Sequence, residues 1–221
     1  MRRGIFLSIA VVVLLALVLY ALGPADLLAV TGRAQEKPTA TRPSTWATAL
    51  ERPGLTNFHQ VTADLYRGAQ PTAEGMRQLE KLGVKTVVNL RTGHSDREDL
   101  VGSMLDYEEI PIEPWKIEEE EVARFLRVVS DPARMPVFVH CRRGADRTGL
   151  ACAVYRIAVC GWSKEEAIRE MTRGGFAFAS TWGNMVRYLE KLDVERLRHL
   201  AKDAGNAREK PSEGGGEGTV R

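Results

Sequence analysis

Cysteine is scarce in this chain. Its three residues, Cys141, Cys152 and Cys160, are clustered, which excludes a disulfide framework and leaves free thiols. Net charge is also small, +2 from 31 basic and 29 acidic side chains with no long basic run, which argues against a nucleic-acid partner. Histidine is limited to four, and neither His59 nor His199 has ligand-spaced neighbours in sequence, so neither a metal site nor a cofactor is expected. Internal repeats are lacking.

The amino-terminal stretch is rich where the rest is spare. Arg2 and Arg3 precede eighteen uncharged, almost wholly apolar residues, Ile5 to Leu22. A helix of that length spans ~27 Å, close to the hydrocarbon thickness of a bilayer, and is longer than the ~7–15 residues of a signal-peptide core. Residues 5–22 are therefore expected to be a single-pass membrane anchor. The two arginines would hold the amino terminus inside and put the rest outside the cytoplasm. Cleavage near Ala21-Leu22-Gly23, giving a secreted form, is the alternative, but Pro24 obstructs it.

The expected organisation is an anchor or signal peptide over residues 1–30, a tether over 31–54, a folded domain over 55–202 and a disordered tail over 203–221. The tether is rich in Thr, Ala, Pro and Arg, and the tail ends in a Gly/Glu/Ser/Pro sequence that cannot form a core. Within the domain, strands are expected at Val61–Arg67, Lys85–Leu90, Tyr107–Ile112 and Val137–His140. Helices are expected after Thr72, over Glu118–Val129, and at about 147–160, 163–172 and 181–200. The alternation points to an α/β fold, a central mostly parallel sheet flanked by helices.

The chemistry concentrates at His140-Cys141-Arg142-Arg143-Gly144-Ala145-Asp146-Arg147-Thr148-Gly149. A cysteine ends an apolar strand, a short loop follows, and a helix begins near Arg147. Backbone amides converging at a helix amino terminus form an anion site, and Gly144 permits the backbone turn this needs. Arg147 can add a planar two-pronged clamp for phosphate oxygens. The same positive environment favours the thiolate, the nucleophilic form of Cys141.

This string resembles the His-Cys-x5-Arg-Ser/Thr signature of the protein tyrosine phosphatase superfamily, nearest its dual-specificity-like branch. Leu65 to Pro71 and Val87 to Arg91 are similar to the opening of small bacterial domains of that branch, including some fused to NAD kinases. The resemblance implies a cysteine phosphatase acting on phosphotyrosine, phosphoserine or phosphoinositide substrates. It also implies roles. Cys141 attacks phosphorus and forms a phosphocysteine. The amides of residues 142–147, among them Arg142, Arg143, Gly144, Ala145 and Asp146, hold the phosphoryl oxygens together with Arg147. His140 orients the loop, and Thr148 donates to the Cys141 sulfur.

The general acid departs from the family pattern, which places an Asp about thirty residues before the cysteine. That window holds Glu113, twenty-eight residues upstream, and no Asp beyond Asp106, thirty-five upstream. Asp146 competes, because myotubularin-like lipid phosphatases also carry Asp before the arginine, and of the two the reading prefers Asp146. Arg142 and Arg143, as extra cations, would suit a phosphoinositide or another polyphosphorylated substrate. Cys152 and Cys160 read as core residues, and His94, Asp96 and Arg97 as a surface loop. The alternatives are a rhodanese-like sulfurtransferase and a catalytically silent phosphate-binding module.

Overall fold

Leu65–Gly68, Thr86–Asn89 and Val137–His140 are buried at every position, so they need cover on both faces, as the centre of a parallel sheet requires. The computed structural model describes residues 42–206. In chain order the strands are β1 (Thr48–Ala49), β2 (His59–Gln60), β3 (Leu65–Gly68), β4 (Thr86–Asn89), β5 (Asp106–Glu109) and β6 (Val137–His140). The helices are α1 (Ala73–Lys81), α2 (Glu119–Ser130), α3 (Asp146–Ala158), α4 (Lys164–Arg173), α5 (Gly183–Lys191) and α6 (Val194–Asn206).

The sheet runs β1-β2-β3-β6-β4-β5. The last four strands are parallel, and β1 and β2 extend the β3 edge antiparallel. The expected α/β architecture with a mostly parallel sheet is therefore what forms. Alternate residues divide between two cores. Tyr66, Val87 and Phe138 pack under α1 with Met76 and Leu79. Leu65, Val88, Val137 and Val139 face the larger helical layer, where Phe125, Leu150, Val154 and Leu197 cover them. The register puts Gly68 and Asn89 on either side of His140, so three carboxyl ends of parallel strands meet at one point. Open α/β sheets bind ligands at this edge.

Several boundaries differ from expectation for physical reasons. The expected strand Val61–Arg67 is a turn followed by β3: Asp64 N–H donates to Thr62 Oγ1 (3.2 Å), and Val61 N–H closes the turn onto Leu65 O (2.8 Å). The expected helix 181–200 is two helices, because Leu192 is extended (ψ 122°) and Asp193 Oδ1 accepts from Arg196 N–H (3.0 Å), capping the second.

The tether cannot extend to residue 54. Trp46 and Ala47 are buried, β1 lies at 48–49, and the segment is tied to the helices by charge. Glu170 of α4 accepts from Ala47 N–H (2.6 Å) and from Arg156 Nε and Nη2 (2.8 and 2.9 Å), while Arg156 Nη2 also reaches Thr45 O (3.0 Å). These anchors are far apart in sequence, so no local pattern announces them. The Arg156 and Glu170 side chains are only 4% and 5% exposed, and removing one partner would strand the other charge in the core. Glu170→Gln is expected to lower unfolding stability by about 3 kcal/mol in urea denaturation, whereas Arg156→Met/Glu170→Met should lose much less.

The expected anchor at residues 5–22 and most of the expected tail lie outside the described residues. Among the described residues no helix is long and apolar enough to cross a membrane.

Candidate active site

Residues 141–145 carry the chain from β6 into α3. Cys141 sits at the bottom of this loop, 3% exposed, directly after the central strand. The loop has to lie tightly on the end of β3. Gly144 adopts φ +67°, and a β-carbon there would stand 2.4 Å from the Gly68 carbonyl, so both the conformation and the contact exclude any other residue. A charged residue inside the buried strand β3 explains part of the seat. Arg67 is 1% exposed, its guanidinium lies 3.7 Å from the Phe176 ring centroid, and its Nη2 donates to Gly144 O (2.8 Å).

Of the expected site residues, Cys141, Arg142, Arg143, Asp146 and Arg147 line one cleft of about 590 Å³, together with Pro114 and Trp182. Arg147 Nη1 donates to Leu90 O (3.2 Å) and Ile112 O (3.5 Å), which ties its guanidinium to the ends of β4 and the β5–α2 loop. Gly144 and Ala145 are buried in the loop, whereas Arg142 and Arg143 are exposed at its rim. Thr148 Oγ1 is buried without a hydrogen-bond partner, so the expected bond to the Cys141 sulfur is not formed in the structure.

The two contenders for the acid are in different situations. Both carboxylate oxygens of Asp146 are engaged, Oδ2 with Arg143 Nη2 (3.0 Å) and Oδ1 with Ala179 N–H (2.8 Å). That geometry fits a strut that braces the loop. The strut also places Trp182, which follows closely in the Ser180–Trp182 turn, against the cleft. Glu113, by contrast, has a buried Oε2 with no partner and precedes Pro114, a residue of the cleft wall.

Behind the loop lies a buried polar network that the sequence did not disclose. His140 Nε2 pairs with Asp96 Oδ2 (2.7 Å), and both side chains are fully buried. Asp96 Oδ1 accepts from Gln70 Nε2 (2.7 Å) and lies 3.2 Å from His94 Nε2, while Gln70 Oε1 accepts from Arg91 Nη1 (2.9 Å). The surface-loop reading therefore fails for Asp96. Burial alone would push its carboxyl up, but the hydrogen bond and charge of His140, followed by Gln70 and His94, hold it below the ordinary carboxylate value. Orientation of His140 by Asp96 could have been suspected only from a buried histidine needing a partner.

The field around the cleft is positive. The Arg91 guanidinium is held below its ordinary value, first by burial and then by the nearby charges of Arg142 and Arg147, against the opposing pull of Asp96. Burial pushes the Cys152 thiol up to about 11 and also raises Cys160, so neither competes as a nucleophile at neutral pH, consistent with their reading as core residues.

Residues 46–181 match the family described as a DSP-PTPase phosphatase fused to NAD+ kinase. The chain is 36% identical over 160 residues to the dual specificity protein phosphatase TpbA of Pseudomonas aeruginosa, covering 72% of each chain. It is 28% identical over 152 residues to the inositol diphosphatase DSP1 of Oryza sativa, covering 65% of this chain and 67% of the other. A crystal structure of P. aeruginosa TpbA with its cysteine replaced by serine, in complex with pTyr, matches with a TM-score of 0.65 at 34% identity, covering 74% of this chain and 99% of that one. The chain belongs to the dual-specificity branch of the protein tyrosine phosphatase superfamily and is a phosphatase.

Proposed function

We propose that the protein hydrolyses phosphate monoesters in two steps at Cys141, with aryl esters of the phosphotyrosine type as its preferred substrates. The observation that carries this reading is the placement of Cys141 at the carboxyl end of β6, under the amino terminus of α3 and in one cleft with Arg147. In the first step the thiolate sulfur attacks phosphorus, an S–P bond forms, and the ester P–O bond breaks as the leaving oxygen takes a proton. In the second, water attacks phosphorus, its proton passes to the base left by the first step, and the P–S bond breaks to regenerate the thiolate. Loop amides and the Arg147 guanidinium hold the phosphoryl oxygens, where charge develops.

Glu113 is the proton donor in this reading, supported by its unpaired Oε2 and its place beside Pro114. Asp146 acts instead as the strut between Arg143 and the Trp182 turn. The preference for aryl esters draws on Trp182 in the cleft wall and on the pTyr bound to the TpbA variant. A second reading, a polyphosphorylated substrate such as a phosphoinositide, is supported by the charge of Arg142 at the rim, by that of Arg91 near it, and by the inositol diphosphatase relative. Arg143 supports it less, being paired with Asp146. Residues 5–22 anchor the domain in this reading, supported by their uncharged apolar length, and Arg2 and Arg3 before them support its placement outside the cytoplasm.

An acid matters most when the departing oxygen is a poor leaving group. Glu113→Gln is expected to lower kcat/KM about 100-fold on phosphotyrosine peptide and far less on p-nitrophenyl phosphate. Asp146→Asn should lower both alike, and by less. An Asp146→Asn loss that grows with leaving-group pKa while Glu113→Gln is indifferent would return the acid role to Asp146.

A further inference from the structure

Each of the three carbonyls that follow Cys141 in the loop is gripped from outside it. Arg142 O accepts from the Gln70 backbone N–H (3.3 Å), Arg143 O from Asn57 Nδ2 (3.0 Å), and Gly144 O from Arg67 Nη2 (2.8 Å). A trans peptide unit is planar, with its N–H opposed to its C=O. Drawing three successive oxygens outward therefore turns the next three N–H groups, those of Arg143, Gly144 and Ala145, the other way. The grip is built in. Asn57 adopts φ +48°, which few side chains tolerate, and uses both amide hydrogens, the second on Phe176 O (3.1 Å). Phe176 is also the ring on which the buried Arg67 guanidinium lies. Loop, Asn57, Arg67 and Phe176 thus form one packed unit.

We infer that Asn57 and Arg67 are positioning residues for phosphoryl transfer, which hold the loop amides aimed at the phosphoryl oxygens by pulling the loop carbonyls outward. They touch neither substrate nor Cys141 in this role. The inference rests on the reading of the loop as a phosphate site. It accounts for a charged residue in the middle of a buried strand and for an asparagine in a left-handed turn, neither of which the core requires. Without the grip the peptides can flip and present oxygens to an anion, which costs affinity and costs more in the transition state, where the anion carries more charge toward the cradle.

The test uses tungstate binding by calorimetry together with kcat and KM on p-nitrophenyl phosphate, for the full-length chain well below its melting temperature. Asn57→Asp keeps size and tolerance of positive φ, but it replaces the donor by an acceptor facing two carbonyls. Tungstate affinity is expected to fall about tenfold and kcat by at least as much, with KM rising by no more than the loss in tungstate affinity. Asn57→Gly, which keeps the backbone conformation and removes the side chain, should shift both in the same direction by a smaller factor, and it decides the matter if Asn57→Asp does not fold. A melting temperature that falls while tungstate affinity and kcat stay at wild-type values in either folded variant would overturn the inference and leave a stability role. Wild-type protein that fails to bind tungstate at all would overturn the phosphate-site reading, and the inference with it.

Discussion

Replacing Cys141 by serine is expected to abolish turnover while leaving oxyanion binding in place. The loop backbone, the Gly144 contact with β3, the Arg67 grip and Arg147 do not depend on the sulfur, so the cradle survives. What disappears is the nucleophile. A serine hydroxyl has no base within the described hydrogen-bond network to take its proton, and at neutral pH it is a far weaker nucleophile than a thiolate. The loss in kcat should be on the order of 10⁴-fold or more, the scale seen when a covalent nucleophile is removed. Tungstate should still bind within about threefold of wild type, a difference of under 1 kcal/mol. Measurable turnover near the wild-type rate in a verified Cys141→Ser preparation would end the covalent reading.

Arg147→Lys is the second large loss. Arg147 does two things that an ammonium cannot do together. Its planar guanidinium presents paired donors to phosphoryl oxygens, and its Nη1 is anchored on Leu90 O and Ile112 O. Ile112 immediately precedes Glu113, so the anchor also fixes the loop that carries the proposed acid. Lysine keeps the charge and loses both the fork and the bridge. A fall in kcat/KM of about 10³-fold is expected on p-nitrophenyl phosphate. Because the two functions share one loop, Arg147→Lys and Glu113→Gln should be less than additive in a double-mutant cycle on phosphotyrosine peptide. Full additivity would mean that the Ile112 contact does not couple cradle and acid.

Legibility in the sequence followed locality. The run from His140 to Gly149 could be read as a phosphate loop because strand, cysteine, glycine, arginine and helix start are contiguous, and the structure keeps them in one place. The buried strands β4 and β6 were legible too, since Val87-Val88 and Val137-Phe138-Val139 are short apolar runs with few other uses. What escaped detection is held by partners distant in the chain. Asp96 is 44 residues from His140, Asn57 is 86 from Arg143, and Arg67 is 77 from Gly144. Asp96 and Asn57 have polar neighbours and Arg67 closes an expected strand, so residue type alone did not separate them from surface positions. Asp146 shows the opposite case. Its position next to Arg147 suggested chemistry, and only the three-dimensional partners Arg143 and Ala179 disclose a carboxylate already occupied. The segment from Arg42 to Ala49 has tether-like composition but is fastened by the buried Arg156–Glu170 pair, which lies over a hundred residues away.

The central claim is that phosphorus passes through the Cys141 sulfur. It is tested most directly by mixing the full-length wild-type protein with phosphotyrosine peptide, quenching within the first turnover, and mapping phosphoryl groups by peptide mass spectrometry under conditions that preserve S–P bonds. The account predicts one phosphoryl group on the peptide containing Cys141, formed before free phosphate appears and chased away with time, and none in Cys141→Ser. Phosphate released at the full rate with no phosphoryl group ever found on Cys141 would contradict it.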